Sequence, residues 1–214
     1  MSCQLQMSRT LEHFTDEELL PLMATGDLVA FEMIYERRQP SVYRFALRMS
    51  GSETLAEDVT QDVFIALMRD AYQFDPTRGS LSTYLYGITR NRVLKRLERD
   101  KNFVAMPDDD EADSGSIDER MICRQDPLAD FTRNQVIDAV RQAVLALPTH
   151  YREVIILCNL HEMNYEEAAS IIGCAVGTVR SRLSRARELL MKKLQTTADI
   201  ETTTSSSIPA RYVL

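Results

Sequence analysis

The sequence predicts an all-α chain of two small helical domains joined by an acidic flexible linker. Three observations predict it. Glycine and proline number only seven each in 214 residues, too few for a many-turned β fold or a glycine-rich nucleotide-binding fold. Apolar residues recur at three- and four-residue steps in several separate windows, the period of a helix with one buried face. Residues 100–130 interrupt that pattern with ten acids against three bases, a composition that buries little apolar surface.

In chain order, Thr15 and Glu18 stand at capping-box spacing and open a first helix that Gly26-Asp27 interrupts. Phe31, Ile34, Tyr35, Val42, Phe45, Ala46 and Met49 mark a second helix, with a break or kink expected near Gln39 because Pro40 follows. Ser50-Gly51 closes it. Thr54 and Glu57 suggest the cap of a third helix that buries Leu55, Val59, Val63 and Ala66 while Asp58, Gln61 and Asp62 stay wet. Phe74 to Ser80 reads as a turn-rich loop. Leu81, Leu85 and Ile88 start a helix expected to end near Arg99.

Beyond the linker, Phe131 to Leu147 forms one helix up to Pro148, and Val154 to Leu157 a short one. Asn164 and Glu167 cap a helix through Ile172, Gly173 to Val176 turns the chain, and Thr178 to Leu194 forms a basic helix. The expected organisation is therefore 15–100, 101–130, 131–194, and a disordered Thr/Ser-rich tail at 195–214.

The net charge of −7 argues against nucleic acid only on average. Residues 100–130 alone carry −7, which leaves 22 acids and 22 bases elsewhere. Those bases gather on two helices. Residues 88–99 hold Arg90, Arg92, Lys95, Arg96 and Arg99 against Glu98; residues 176–194 hold Arg180, Arg182, Arg185, Arg187, Lys192 and Lys193 against Glu188.

The second stripe follows a helix and a tight turn, the arrangement that places a recognition helix in the major groove. Arg180, Ser181, Ser184 and Arg185 share one side near its start, where Arg can pair with guanine and Ser with several base edges. Arg182, Arg187 and the lysines suit phosphates. The first stripe lies one to two turns after Tyr84 and Tyr86. An aromatic face beside cations suits unstacked bases, although Tyr86 reads as core.

Cys3, Cys123, Cys158 and Cys174 are scattered, no window of 18 apolar residues exists, and no secretory signal precedes Leu11. A cytoplasmic chain without membrane insertion is expected. Cys158 and His161 are two ligands at most, so no metal is expected, and His161 reads as exposed.

These segments resemble a bacterial RNA polymerase sigma factor of the sigma-70 family, extracytoplasmic-function (ECF) group. The likeness rests on Ala56 to Phe64, Asp75 to Arg92, Leu147-Pro148 with Arg152-Glu153-Val154, and Gly177 to Arg187. It covers roughly residues 16–100 (the family's region 2) and 131–194 (region 4), in the family's order. The resemblance implies core RNA polymerase, through its β′ clamp and β flap, and promoter DNA as partners. An anti-sigma factor is a further implied partner. It implies polymerase docking by Asp58, Gln61, Asp62 and Phe64. Recognition of the −10 element falls to Tyr84, Arg90, Asn91, Arg92, Lys95 and Arg96, with a base pocket in the loop from Asp75 to Ser82. Recognition of the −35 element falls to Thr178, Arg180, Ser181, Arg182, Ser184, Arg185 and Arg187. Tyr84 stands where the family commonly has Trp, which reduces stacking area. The linker is expected to thread the polymerase.

No catalysis and no cofactor are expected. A stand-alone helix-turn-helix regulator is the alternative, but it leaves Asp58 to Asp62 and the Tyr84 to Arg96 helix without a role. Glu166 and Glu167 lack any His, Cys or phosphate loop beside them, and helix capping accounts for them better than catalysis.

Overall fold

The computed structural model describes residues 13–104 and 127–205, all helices and short connections. Helix α1 (Asp16–Ala24) opens on a complete capping box. The Thr15 hydroxyl accepts from the Glu18 N–H at 3.4 Å, and the Glu18 carboxylate accepts from the Thr15 N–H at 2.7 Å. Asp16 is buried yet charged, held by Arg37 at 3.3 Å and by Arg38, which offsets the cost of removing a carboxylate from water.

Helix α2 (Leu28–Ser50) is capped by Asp27 and runs through Pro40 without the expected break. A proline forfeits one main-chain hydrogen bond, but Ile34 before it and Val42 and Phe45 after it are buried and hold the helix across the gap. Gly51 ends α2 in the left-handed conformation, φ 75°. Helix α3 (Glu53–Asp70) then starts at once, so its cap is Ser52, not Thr54: the Ser52 hydroxyl accepts from the Leu55 N–H at 3.3 Å. Two 3₁₀ turns, Ala71–Gln73 and Pro76–Arg78, lead to helix α4 (Leu81–Val104), which passes the expected end at Arg99.

Helix α5 (Pro127–Leu145) begins inside the expected linker, with a proline at the first helical position where its fixed φ fits. Helix α6 (Thr149–Ile155) continues into a π-helical turn, Ile156–Leu160. Helix α7 (Tyr165–Ile172) carries the Asn164–Glu167 capping box and ends at Gly173, φ 75°. Helix α8 (Val176–Ser205) extends eleven residues into the expected tail, because no Gly or Pro lies between Thr178 and Ile208 to stop it. Linker residues 105–126 and tail residues 206–214 lie outside the described residues.

Helices α1–α4 pack as a first bundle around Leu19, Ile34, Phe45, Val59, Val63 and Leu85; α5–α8 pack as a second around Leu147, Val154, Ile156, Val179 and Leu183. The bundles also pack on each other, α2 against α5 and α6, and α4 against α7, so their apolar residues form one contiguous cluster. Gly51 admits the Leu145 side chain, which a Cβ would meet at 3.0 Å. Arg152 donates to the Met49 carbonyl of the first bundle at 2.6 Å and to the Leu145 and Leu147 carbonyls of the second. It thereby satisfies helix-end carbonyls on both sides of the junction. Burial holds its guanidinium below the usual arginine range.

His161 is not the exposed residue expected. It is tucked into this junction, with Nδ1 2.8 Å from the Tyr86 hydroxyl and its ring edge-on to Phe45, centroids 5.7 Å apart. Its Nε2 is buried without a hydrogen-bond partner. Burial first, then the charges of Arg44 and Arg48, push its pKa down to about 4.

Candidate nucleic-acid and polymerase interfaces

The α4 stripe begins where the Ser80 hydroxyl accepts from the Thr83 N–H at 3.2 Å. Thr83, Leu85, Tyr86, Thr89 and Val93 turn inward, which leaves Asn91, Arg92, Lys95 and Arg96 on the outer side, while Arg90, 17% exposed, faces the second bundle. Asn91 and Lys95 are exposed. The arginines are engaged. Arg92 lies 3.1 Å from Asp62, and Arg96 3.3 Å from Asp58 and 3.5 Å from Asp62. The acids expected to dock a protein thus neutralise two bases expected to hold DNA, on adjoining faces of α3 and α4.

Tyr84 is half-buried, edge-on to Phe74 with centroids 5.6 Å apart. Burial pushes its phenol above the ordinary tyrosine range. The ring borders a cavity of about 370 Å³ that also includes Asp75, Gly79, Ser80, Thr83 and Asn91. Asp75 orders this loop by accepting from the Thr77 N–H at 2.9 Å and the Thr77 hydroxyl at 2.7 Å. The far wall comes from the other bundle, Ser170 and Ile171 of α7.

On α3, Asp58 and Gln61 are exposed and Asp62 half-exposed, as the spacing predicts. Phe64 corrects the expectation. It is 2% exposed beneath Tyr35, ring centroids 4.8 Å apart, so it supports a surface and does not present one. The surface apolar side chains are Tyr35, Ile65 and Met68, which with Phe31 and Gln61 border a shallow cavity of about 520 Å³. Ile65 and Met68, 54% and 50% exposed, were missed by the sequence reading. Their signal was available: both fall off the buried Val59–Val63–Ala66 stripe yet are apolar.

In the second bundle, the left-handed Gly173 turns α7 into α8, and Val179, Leu183 and Ala186 anchor α8 inward. Arg180, Ser181, Ser184, Arg185 and Arg187 are exposed on the outer face, with Thr178 and Arg182 partly covered. The Arg180 guanidinium lies over the Tyr165 ring, 5.7 Å from its centroid, so Tyr165 of α7 braces a candidate base contact. The Ser181 hydroxyl donates back to the Thr178 carbonyl at 3.0 Å, and Arg187 reaches Asn159 at 3.3 Å.

Glu153, 3% exposed, joins the two stripes. One carboxylate oxygen accepts from Arg90 of α4 at 2.7 Å and the other from Arg182 of α8 at 3.4 Å. Among the described residues no three His, Cys, Asp or Glu side chains gather as metal ligands, and no helix is long and apolar enough to cross a membrane. Cys158 and Cys174 are half-buried free thiols, and burial raises the Cys158 pKa.

With the geometry in place, comparison with known proteins is specific. The family model Sigma-70 region 2 matches residues 34–103, and Sigma-70, region 4 matches residues 137–190. The chain is 30% identical over 197 residues to the ECF RNA polymerase sigma factor SigE of Mycolicibacterium smegmatis, across 84% of this chain and 72% of that one. It is 30% identical over 172 residues to SigW of Bacillus subtilis, across 79% and 91%. It is similar to the solved structure of the sigma factor RpoE in complex with the anti-sigma factor NepR from Bartonella quintana. That match has TM-score 0.58 and 26% identity, and covers 77% of this chain and 96% of that one. CnrH in complex with the cytosolic domain of CnrY matches with TM-score 0.60 and 27% identity, across 85% and 97%.

Proposed function

The chain belongs to the ECF group of sigma-70 factors, the subunits that direct RNA polymerase to promoters, and from that premise we propose how its residues divide the work. The first bundle docks on the basic β′ clamp of core polymerase through Asp58, Gln61 and Asp62, with Tyr35, Ile65 and Met68 adding apolar contact. Its α4 reads the −10 element. Tyr84 and Asn91 border the cavity that takes an unstacked base, while Arg90, Arg92, Lys95 and Arg96 hold the backbone.

The second bundle reads the −35 duplex through Arg180, Ser181, Ser184 and Arg185, while Thr178, Arg182 and Arg187 contact phosphates. It also meets the β flap. Nucleotide addition belongs to the core enzyme, and the protein works in the cytoplasm.

The observation that carries this reading is the exposed acidic and apolar patch on α2 and α3, present together with a basic helix in each bundle. A stand-alone DNA-binding regulator has no use for that patch. The test is run-off transcription from a promoter template with purified sigma-free core polymerase. Product that requires this chain is expected; tight sequence-specific DNA binding without core, and no product, overturns the reading.

The described arrangement is a closed form. Ser170 and Ile171 wall the −10 cavity, and Glu153 of the second bundle holds Arg90 of the first. We propose that the bundles separate when the promoter binds. Because the RpoE match was solved with an anti-sigma factor, we propose a partner of that kind to hold this form.

A further inference from the structure

A groove between α2 and α5, about 290 Å³, has a floor formed by Val136, Ile137, Val140 and Leu160 and a rim of Arg44, Arg48 and Arg141. Val136 and Leu160 are 58% and 41% exposed, so the floor is apolar surface open to solvent. Its two walls belong to different bundles. Arg141 also pairs with Asp138 at 3.0 Å, yet the rim as a whole is cationic.

We propose that the occupant of this groove in the free protein is the chain's own acidic linker, residues 105–126. The match is first one of charge: those residues hold eight acids and two bases, opposite three arginines. It is next one of apolar content. Ile117, Met121 and Ile122 are bulky apolar side chains set among Asp118 and Glu119, so carboxylates accompany whatever enters the floor. It is last one of reach. The linker leaves α4 at Val104 and returns at Pro127, the start of the helix that forms one groove wall, and Val136 lies about 13 Å along that helix. Twenty-two residues can extend roughly 70 Å, so no strain opposes the fit. A linker seated in the groove touches both bundles, and leaving the groove frees it for the path through the polymerase that the family resemblance implies.

Disulfide trapping in the full-length chain tests this. In a background with Cys3, Cys123, Cys158 and Cys174 replaced by Ser, the pair S116C and L160C is compared with S116C and M191C under copper phenanthroline. Met191 is a control on α8, 61% exposed and outside the groove lining. The groove pair is expected to form an intramolecular disulfide at least tenfold faster. Adding D118N and E119Q, which alter only the linker, is expected to bring it near the control rate. Equal rates for the two pairs overturn the proposal and leave the groove to a helix of another protein. Cross-links that form only between molecules overturn it in favour of a second copy, and a fast cross-link unchanged by D118N and E119Q overturns its electrostatic basis.

Discussion

Arg90 of the first bundle and Arg182 of the second share the two oxygens of one buried carboxylate, Glu153, at 2.7 and 3.4 Å. A carboxylate so placed is stable only while cations compensate it, and here the compensation is split between two DNA-reading helices. Only the Arg90 contact crosses the junction, so closure of the bundles withdraws Arg90, while Arg182 is held within its own bundle whether or not they close.

Glu153→Gln should lower stability by about 3 kcal/mol in urea unfolding, the scale for removing one partner of a buried ion pair. Arg90→Ala combined with it should cost less than the two single changes added together, because both remove the same contact. Strict additivity would show that Arg90 and Glu153 do not act on each other.

Much of this was readable from residue pattern. The Thr15 and Asn164 caps, the Val59–Val63–Ala66 stripe and the turn at Gly173 all depend on neighbours within four residues. One error is local, and the others depend on residues far along the chain. Thr54 has capping chemistry, but Ser52 caps because Gly51 reverses the chain first. Phe64 lies under Tyr35, and His161 meets Tyr86 from another bundle, contacts that no local spacing encodes. The docking of the bundles through Arg152, Glu153 and Gly51 is the largest such feature.

His161 gives the junction a pH dependence. Its pKa is about 4 in the folded chain against an ordinary 6.5, so the unfolded chain binds the extra proton between those values. Its contribution is full above pH 6.5 and falls as pH drops towards 4, at most about 1.4 kcal/mol per unit. His161→Gln should flatten the urea-measured stability profile in that window and leave the slope above pH 7 unchanged.

Docking should depend more on apolar contact than on single charges. Asp58 and Arg96 are both more than a third exposed, so their ion pair contributes only about 0–1 kcal/mol to folding. Ile65→Glu or Met68→Glu should reduce affinity for core polymerase about tenfold in a competition assay while leaving the thermal midpoint within a degree or two. Asp58→Ala should have a smaller effect, with stronger salt dependence. Unchanged core affinity in Ile65→Glu would remove that face from the docking surface.

The −35 face should separate reading from holding. Arg185→Ala should weaken use of particular −35 sequences, whereas Lys192→Ala should weaken all sequences alike and lower the salt slope by about 0.9. Tyr165→Ala should resemble a milder Arg180→Ala, since it removes the ring beneath that guanidinium, and Tyr165→Phe should retain most activity. Run-off yield across a set of −35 variants distinguishes these patterns.

Opening can be followed directly. Leu28 and Met191 are exposed, one on each bundle, and dyes on L28C and M191C report their separation. The free chain should give high transfer efficiency, and polymerase with promoter DNA should lower it, because Ser170 and Ile171 of the second bundle border the cavity proposed for the −10 base. Tyr86→Phe removes the bond to His161 without touching a proposed DNA contact, and leaves a buried ring nitrogen unpaired at a cost of about 1–2 kcal/mol. It should therefore shift the free chain towards low transfer. If promoter binding proceeds with the free chain's dye separation retained, the closed form is itself the DNA-reading form, and Glu153 restrains nothing.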